Sequence, residues 1–160
     1  LTPEAVEMGE KLINPNAKVY VVDDAELERV KSNYPVIWTN PNAKPKLCFM
    51  GCPHMTLAQL HDWTNKLEQK LAERNRKKVT IKTVFTSAPA VIAEFEKTED
   101  YAKLKKMGVI LSYICPLMYM NNPLCAKMPV ITNSNKLRTY TSARYYTDAE
   151  ILDQITGGKN

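Results

Sequence analysis

Short, unbroken apolar runs alternate with helical stripes along this chain, and that alternation limits the fold more than any other feature. Leu47-Cys48-Phe49-Met50 is apolar, short and followed by turn formers, so it reads as a buried strand. After it, Thr56 stands three residues before Gln59, a capping box that opens a helix. Leu57, Leu60, Trp63, Leu67 and Leu71 then recur every three or four residues, one buried stripe running to about Asn75. Val79–Phe85 is the next expected strand, and Ser87 the expected cap of a helix whose core face is Val91, Ile92 and Phe95. That helix is expected to break near Thr98-Glu99-Asp100, resume to Lys106 and turn at Gly108. Val109–Ile114 is the most hydrophobic strand and Pro129–Ile131 the last. Lys136–Tyr146 is polar and read as partly helical, and Thr147–Glu150 is a second capping box. Towards the start, Thr2-Pro3 opens a short helix, Val19–Val22 reads as a strand, and Asp23-Asp24 caps the helix that follows. Strands and helices alternating at these lengths imply crossover connections and a mostly parallel sheet covered on both faces. The expectation is a three-layer αβα arrangement, with residues 1–160 as a single α/β domain.

Composition removes several function classes. The chain has 160 residues, 44% hydrophobic and 24% charged, which suits one domain with a full core and excludes a disordered chain. No apolar run approaches the length that crosses a bilayer, so no membrane partner is expected. The net charge is +5, and the one basic run, Arg74-Asn75-Arg76-Lys77-Lys78, falls at a helix end where cations complement the dipole and solvate the turn. With no zinc finger, RNA-binding aromatic motif or basic arm beside it, no nucleic-acid partner is expected. The four cysteines, at 48, 52, 115 and 125, stand without a secretory signal, so reduced thiols and a cytoplasmic location are the expectation. The start is not a Met, which favours a segment of a longer chain.

Chemistry-bearing residues gather where strands end. Gly51-Cys52-Pro53-His54 follows one strand, Cys115-Pro116 another, and Thr132-Asn133-Ser134-Asn135-Lys136 a third. In an open α/β sheet the carboxyl ends of the strands form the ligand-binding edge. Cys52 and Cys115 each precede a proline that removes an amide donor and fixes the turn, and a thiolate there is a soft metal ligand. The competing reading of such a cysteine is a small buried hydrophobe. Cys48, inside its strand, takes that reading, and Cys125 leans towards a bystander. His54 is open to three roles: ligand, acid–base group or anion donor. His61, further into the helix, is read as a surface or packing residue. Thr132, Asn133, Ser134 and Lys136 offer hydroxyls, an amide and an ammonium within one turn, which fits either a bound anion or an ordinary helix cap. No Ser-His-Asp arrangement, glycine-rich phosphate loop or His-Glu-x-x-His motif is present.

These three turns, in this order and with Tyr140 shortly after the last, resemble the carboxyl-terminal part of the aconitase X large subunit. Its pattern runs Gly-Cys-Pro-His, later Cys-Pro, later Thr-Asn-Ser-x-Lys and a Tyr. The resemblance spans most of the chain. It implies a hydro-lyase, a dehydratase acting on a small hydroxy acid such as phosphomevalonate or hydroxyproline. It also implies an iron–sulfur cluster held by three cysteines, of which Cys52 and Cys115 would be two. The third would come from an amino-terminal Cys-Thr-Pro motif that this chain lacks. Thr132, Asn133, Ser134, Lys136 and Tyr140 would bind substrate, and His54 would be catalytic. The implied partners are the amino-terminal remainder of the large subunit and a small swivel domain or subunit, expected to supply a serine base. A phosphorylated substrate would call for a further cation, Arg138 or Arg144. The segment Thr141–Tyr146 departs from the glycine-containing stretch of the family. The alternatives are a non-catalytic α/β interaction or regulatory domain that keeps the family's turns, and a structural zinc site.

Overall fold

A computed structural model describes residues 2–123 and 125–158, and these divide between Pro35 and Val36 into two compact units. In the first, helix α1 (Pro3–Met8) is capped by Thr2 with proline at its first position, and a 3-10 turn continues to Leu12. Helix α2 (Asp24–Ser32) is capped by Asp23, whose carboxylate accepts from Glu26 N at 2.8 Å. Neither helix buries a residue. The strand expected at Val19–Val22 does not form. These residues are irregular and 62–89% exposed. A strand exists through its ladder, and among the described residues none pairs with this run, so β-branched content alone is insufficient.

The second unit is built on β1 (Leu47–Met55), β2 (Lys82–Ser87), β3 (Val109–Ser112), β4 (Val130–Thr132) and β5 (Arg144–Tyr145). They form one sheet in the order β3-β2-β1-β4-β5, with every neighbouring pair parallel. Side chains alternate across it with the period of two that a strand imposes. From β1, Cys48 and Met50 enter one core cluster while Leu47 and Phe49 enter the other. The first cluster is closed by α3 (Leu57–Glu73), α4 (Pro89–Phe95), α5 (Glu99–Lys106) and α8 (Asp148–Ile155). The second is closed by α6 (Pro116–Met120) and α7 (Asn135–Tyr140). Helix layers on both faces of a parallel sheet make the three-layer αβα fold that the alternation implies.

Local chemistry explains most boundaries. In α3 the Thr56/Gln59 capping box is complete in both directions, and Leu60, Trp63, Thr64, Leu67 and Leu71 form the buried face. Leu57, at the first position, lies outside that face and is 36% exposed. Full burial of each large apolar side chain in the stripe contributes about 1.5–3 kcal/mol. Beyond α3, Arg74 ion-pairs with Asp153 and donates to the Asp153 carbonyl at 2.7 Å, tying α3 to α8, while the rest of the basic run is exposed. Thr98 caps α5 after the expected break, and Gly108 turns with φ +84°. The strand expected at Val79–Phe85 starts later, at Lys82, because Val79 N bonds Met107 O and Thr80 N bonds Ile155 O instead of a neighbouring strand. Ser87 is the last residue of β2 rather than a helix cap; Ala88 takes that place, with Pro89 at the first turn of α4.

The chain winds from β1 to β2 to β3, then returns to the other side of β1 for β4 and β5. The direction of winding reverses between β1 and β4, and their carboxyl ends frame the crevice that such a reversal opens.

Candidate functional site

β1 and β2 pair residue by residue from Leu47/Lys82 to Met50/Phe85, and pairing resumes at Met55/Ser87. Residues 51–54 therefore stand opposite Thr86 alone. This is a bulge, a device that bends a strand and re-aims a side chain. Gly51 takes φ +108°, and a Cβ there would run into the carbonyl and hydroxyl oxygens of Thr86. Only glycine satisfies both the conformation and the approach. The Cys52–Pro53 peptide bond is cis. Cys52 is half-buried against the second core cluster, and His54 is exposed.

The Thr132–Lys136 turn arrives beside this bulge from β4. Thr132 is fully buried and its hydroxyl accepts from Ser134 N at 3.1 Å. The Ser134 hydroxyl donates to the Cys52 carbonyl and accepts from Leu137 N at 3.0 Å, which caps α7. Asn133 donates through Nδ2 to Asp148 Oδ1 at 2.8 Å. Lys136 is exposed, as is Tyr140, at 67%. The hydrogen bond between Ser134 and Cys52 thus joins two of the three turns directly, across the crevice between β1 and β4.

Cys115 is positioned by a different element. β3 is four residues long and ends at Ser112, two short of the expected Ile114. Cys115 then becomes the cap residue of α6, a helix not expected from the sequence, with Pro116 at its first position. α6 packs on β1, and its Leu117 shares the second cluster with Cys52. The Cys115 thiol is exposed. Cys48 and Cys125 are buried, and burial pushes the Cys48 thiol far up from its ordinary range, which disfavours the thiolate a metal needs.

The two candidate arginines are engaged elsewhere. Arg138 holds Asn135 Oδ1 at 2.8 Å. The Arg144 guanidinium sits 5.8 Å from the Trp38 ring and 5.2 Å from the Tyr146 ring, and donates to Pro41 O at 3.4 Å. A groove of about 640 Å³ beside Arg144, lined also by Ala43, Tyr146 and Glu150, contains none of the cysteines or histidines. His61 is not a free surface residue: its Nδ1 meets Asp100 Oδ2 at 2.6 Å, joining α3 to α5.

Sequence reasoning missed the role of Thr86 and Ser87, whose hydroxyls bond the carbonyls of Gly51 in the bulge and of Met50 and Met55 on either side of it. The sequence signal was limited to a glycine after an apolar run, which marks a bulge or a close backbone approach without naming the partner.

Soft thiolates are the donors an iron–sulfur cluster takes. Cys52 is half-buried and Cys115 exposed, so both thiols are accessible and of the chemical type such a cluster takes. Among the described residues no three His, Cys, Asp or Glu side chains gather into a metal site, so these residues alone do not complete one. No helix among the described residues is long and apolar enough to cross a membrane.

The crystal structure of Thermococcus kodakaraensis aconitase X in its holo form resembles this chain with a TM-score of 0.67 at 18% identity. The match covers 90% of this chain and 36% of that one, so the chain spans about a third of its length, and the likeness is one of fold. No curated protein matches the sequence. The family model for the aconitase X third domain matches residues 45–153, from just before β1 into α8, and on that match the chain belongs to the aconitase X family.

Proposed function

We propose that this chain is one domain of an iron–sulfur hydro-lyase that dehydrates a small hydroxy acid. The observation that carries the reading is the hydrogen bond that joins the cysteine-bearing bulge of β1 to the lysine-bearing turn after β4; the exposed Cys115, at the start of α6, is added to it because α6 packs on β1. Cys52 and Cys115 are read as two ligands of the cluster, with the third cysteine supplied by an amino-terminal remainder of the enzyme. When bound, such a cluster would supply Lewis acidity towards the substrate hydroxyl and carboxylate, making the hydroxyl a better leaving group.

The other roles follow from exposure. Lys136 is free to meet the anionic group of the substrate, and Thr132, Asn133 and Ser134 frame the turn that presents it. His54, exposed on the bulge, is read as the group that hands a proton to the departing hydroxyl. Tyr140 adds an exposed hydroxyl one helix further on. The base that takes the proton next to the carboxylate is assigned to a small swivel domain or subunit. Phosphomevalonate and hydroxyproline both present a hydroxyl and a carboxylate and are the substrates to try first.

The test is water loss from these compounds, followed anaerobically with the full-length enzyme and its swivel partner after cluster reconstitution. Turnover is expected, with Lys136→Ala raising KM roughly tenfold, as loss of a charge-assisted contact does. An enzyme that carries its cluster yet dehydrates no hydroxy acid would contradict the proposal and favour a non-catalytic domain.

A further inference from the structure

A bulge removes ladder partners, and buried carbonyls left over must be satisfied by other donors. Here three side-chain hydroxyls, two from β2 and one from the turn after β4, bond carbonyls in the bulge and on either side of it. Thr86 Oγ1 donates to Gly51 O at 2.8 Å and Met50 O at 3.2 Å. Ser87 Oγ donates to Met55 O at 2.5 Å, and Ser134 Oγ to Cys52 O. All three donor residues are buried.

Two of these bonds bracket a single residue. The Gly51 carbonyl belongs to the peptide plane that precedes the Cα of Cys52, and the Cys52 carbonyl to the plane that follows it. Peptide units are rigid, so fixing both planes fixes φ and ψ of Cys52 and with them the direction of its Cα–Cβ bond. We propose that Thr86 and Ser134 are positioning residues for the Cys52 thiol, one from each side of the β1/β4 crevice. Their importance to the enzyme rests on the reading of Cys52 as a cluster ligand. On that reading a ligand thiolate is pre-aimed before the cluster arrives, and the hydroxyl of Ser134 serves the backbone rather than the substrate.

The test uses the full-length enzyme with Thr86→Val, Thr86→Ser, Ser134→Ala and Cys52→Ser. In metal-free protein, Thr86→Val is expected to change the rate of iodoacetamide alkylation at Cys52 about fivefold while Cys115 stays within about twofold, the effect of one lost hydrogen bond. Thr86→Ser, which keeps the hydroxyl, is expected to restore the rate. Ser134→Ala is expected to move Cys52 without moving Cys115, and it carries the test if Thr86→Val fails to fold. In the loaded enzyme, Thr86→Val is expected to alter the electron paramagnetic resonance spectrum of the reduced cluster and Thr86→Ser to preserve it. A Cys52 rate unmoved by a folded Thr86→Val, or by Ser134→Ala where Thr86→Val does not fold, would overturn the proposal. Full cluster retention in Cys52→Ser is a different failure: it removes the ligand reading and leaves the alkylation rates to decide positioning.

Discussion

Cys52-Pro53, in the bulge of β1, and Cys115-Pro116, past the end of β3, are the same dipeptide on the same parallel sheet, yet the two pairs are held by different forces. β1 is central, so β2 and β4 flank it: Thr86 of β2 bonds the Gly51 carbonyl, and Ser134, two residues past β4, bonds the Cys52 carbonyl. β3 is at the edge, paired only with β2, and Cys115 lies three residues past its end. There the proline acts locally, opening α6 from its first turn, where a missing N–H costs nothing. One thiol is placed by tertiary hydrogen bonds and is half-buried; the other is placed by a helix start and is exposed. A shared motif therefore does not imply a shared mechanism of positioning, and strand order decides which one operates.

The sharpest way to break the contrast is at the residue before each cysteine. Gly51→Ala imposes a side chain at φ +108° and against buried Thr86, and should cost about 3 kcal/mol or more. Thermal denaturation should show a loss of roughly 10 °C in Tm. Ile114→Ala, at a 42% exposed position before Cys115, should change stability by no more than about 0.5 kcal/mol. Equal effects at both positions would remove the distinction. Thiol reactivity sharpens it next. Mass spectrometry of the metal-free protein after alkylation should find Cys115 modified first, Cys52 more slowly, and Cys48 unmodified while the fold persists, because burial suppresses its thiolate.

The smallest expected effect lies away from both turns. The hydrogen bond from His61, together with the Lys103 charge, holds the Asp100 carboxyl below its ordinary 3.8, against the opposing pull of burial. A lowered folded pKa contributes stability above the unfolded value and loses it as pH falls through the folded one. Asp100→Asn should therefore cost about 1 kcal/mol at pH 7, less as pH drops below about 4, with both thiol reactivities unchanged. Urea unfolding at two pH values checks the first part, and a cost that grows towards acid would reverse the sign.

The sequence made the layers legible because strong periodicities and capping boxes are local: Thr56/Gln59 and Thr147/Glu150 both formed as read. It misplaced elements wherever a distant partner decides. Val19–Val22 has strand composition but pairs with no strand among the described residues, and β5 is two residues held by β4, invisible to any pattern of its own. α6 was missed because its five residues are too few to show a helical period. At the site, Cys52, Cys115 and the Thr132–Lys136 turn were singled out from expected places at strand ends; Gly51–His54 instead lies within β1, which runs on to Met55 past the bulge, and the reversal of winding beside β1 explains why this segment and the Thr132–Lys136 turn meet. Thr86 and Ser87 stayed hidden because their role depends on register across β1 and β2, which no single segment encodes.

The central claim is that Cys52 and Cys115 both hold one iron–sulfur cluster. Anaerobic iron and acid-labile sulfide content, with the visible absorption spectrum, of the full-length enzyme and of Cys52→Ser and Cys115→Ser tests it most directly. The expected result is a brown parent protein and loss of cluster in each variant, with Cys48→Ser and Cys125→Ser keeping theirs. A parent that stays colourless after reconstitution, or a Cys52→Ser or Cys115→Ser protein that retains full iron and sulfide, would contradict it.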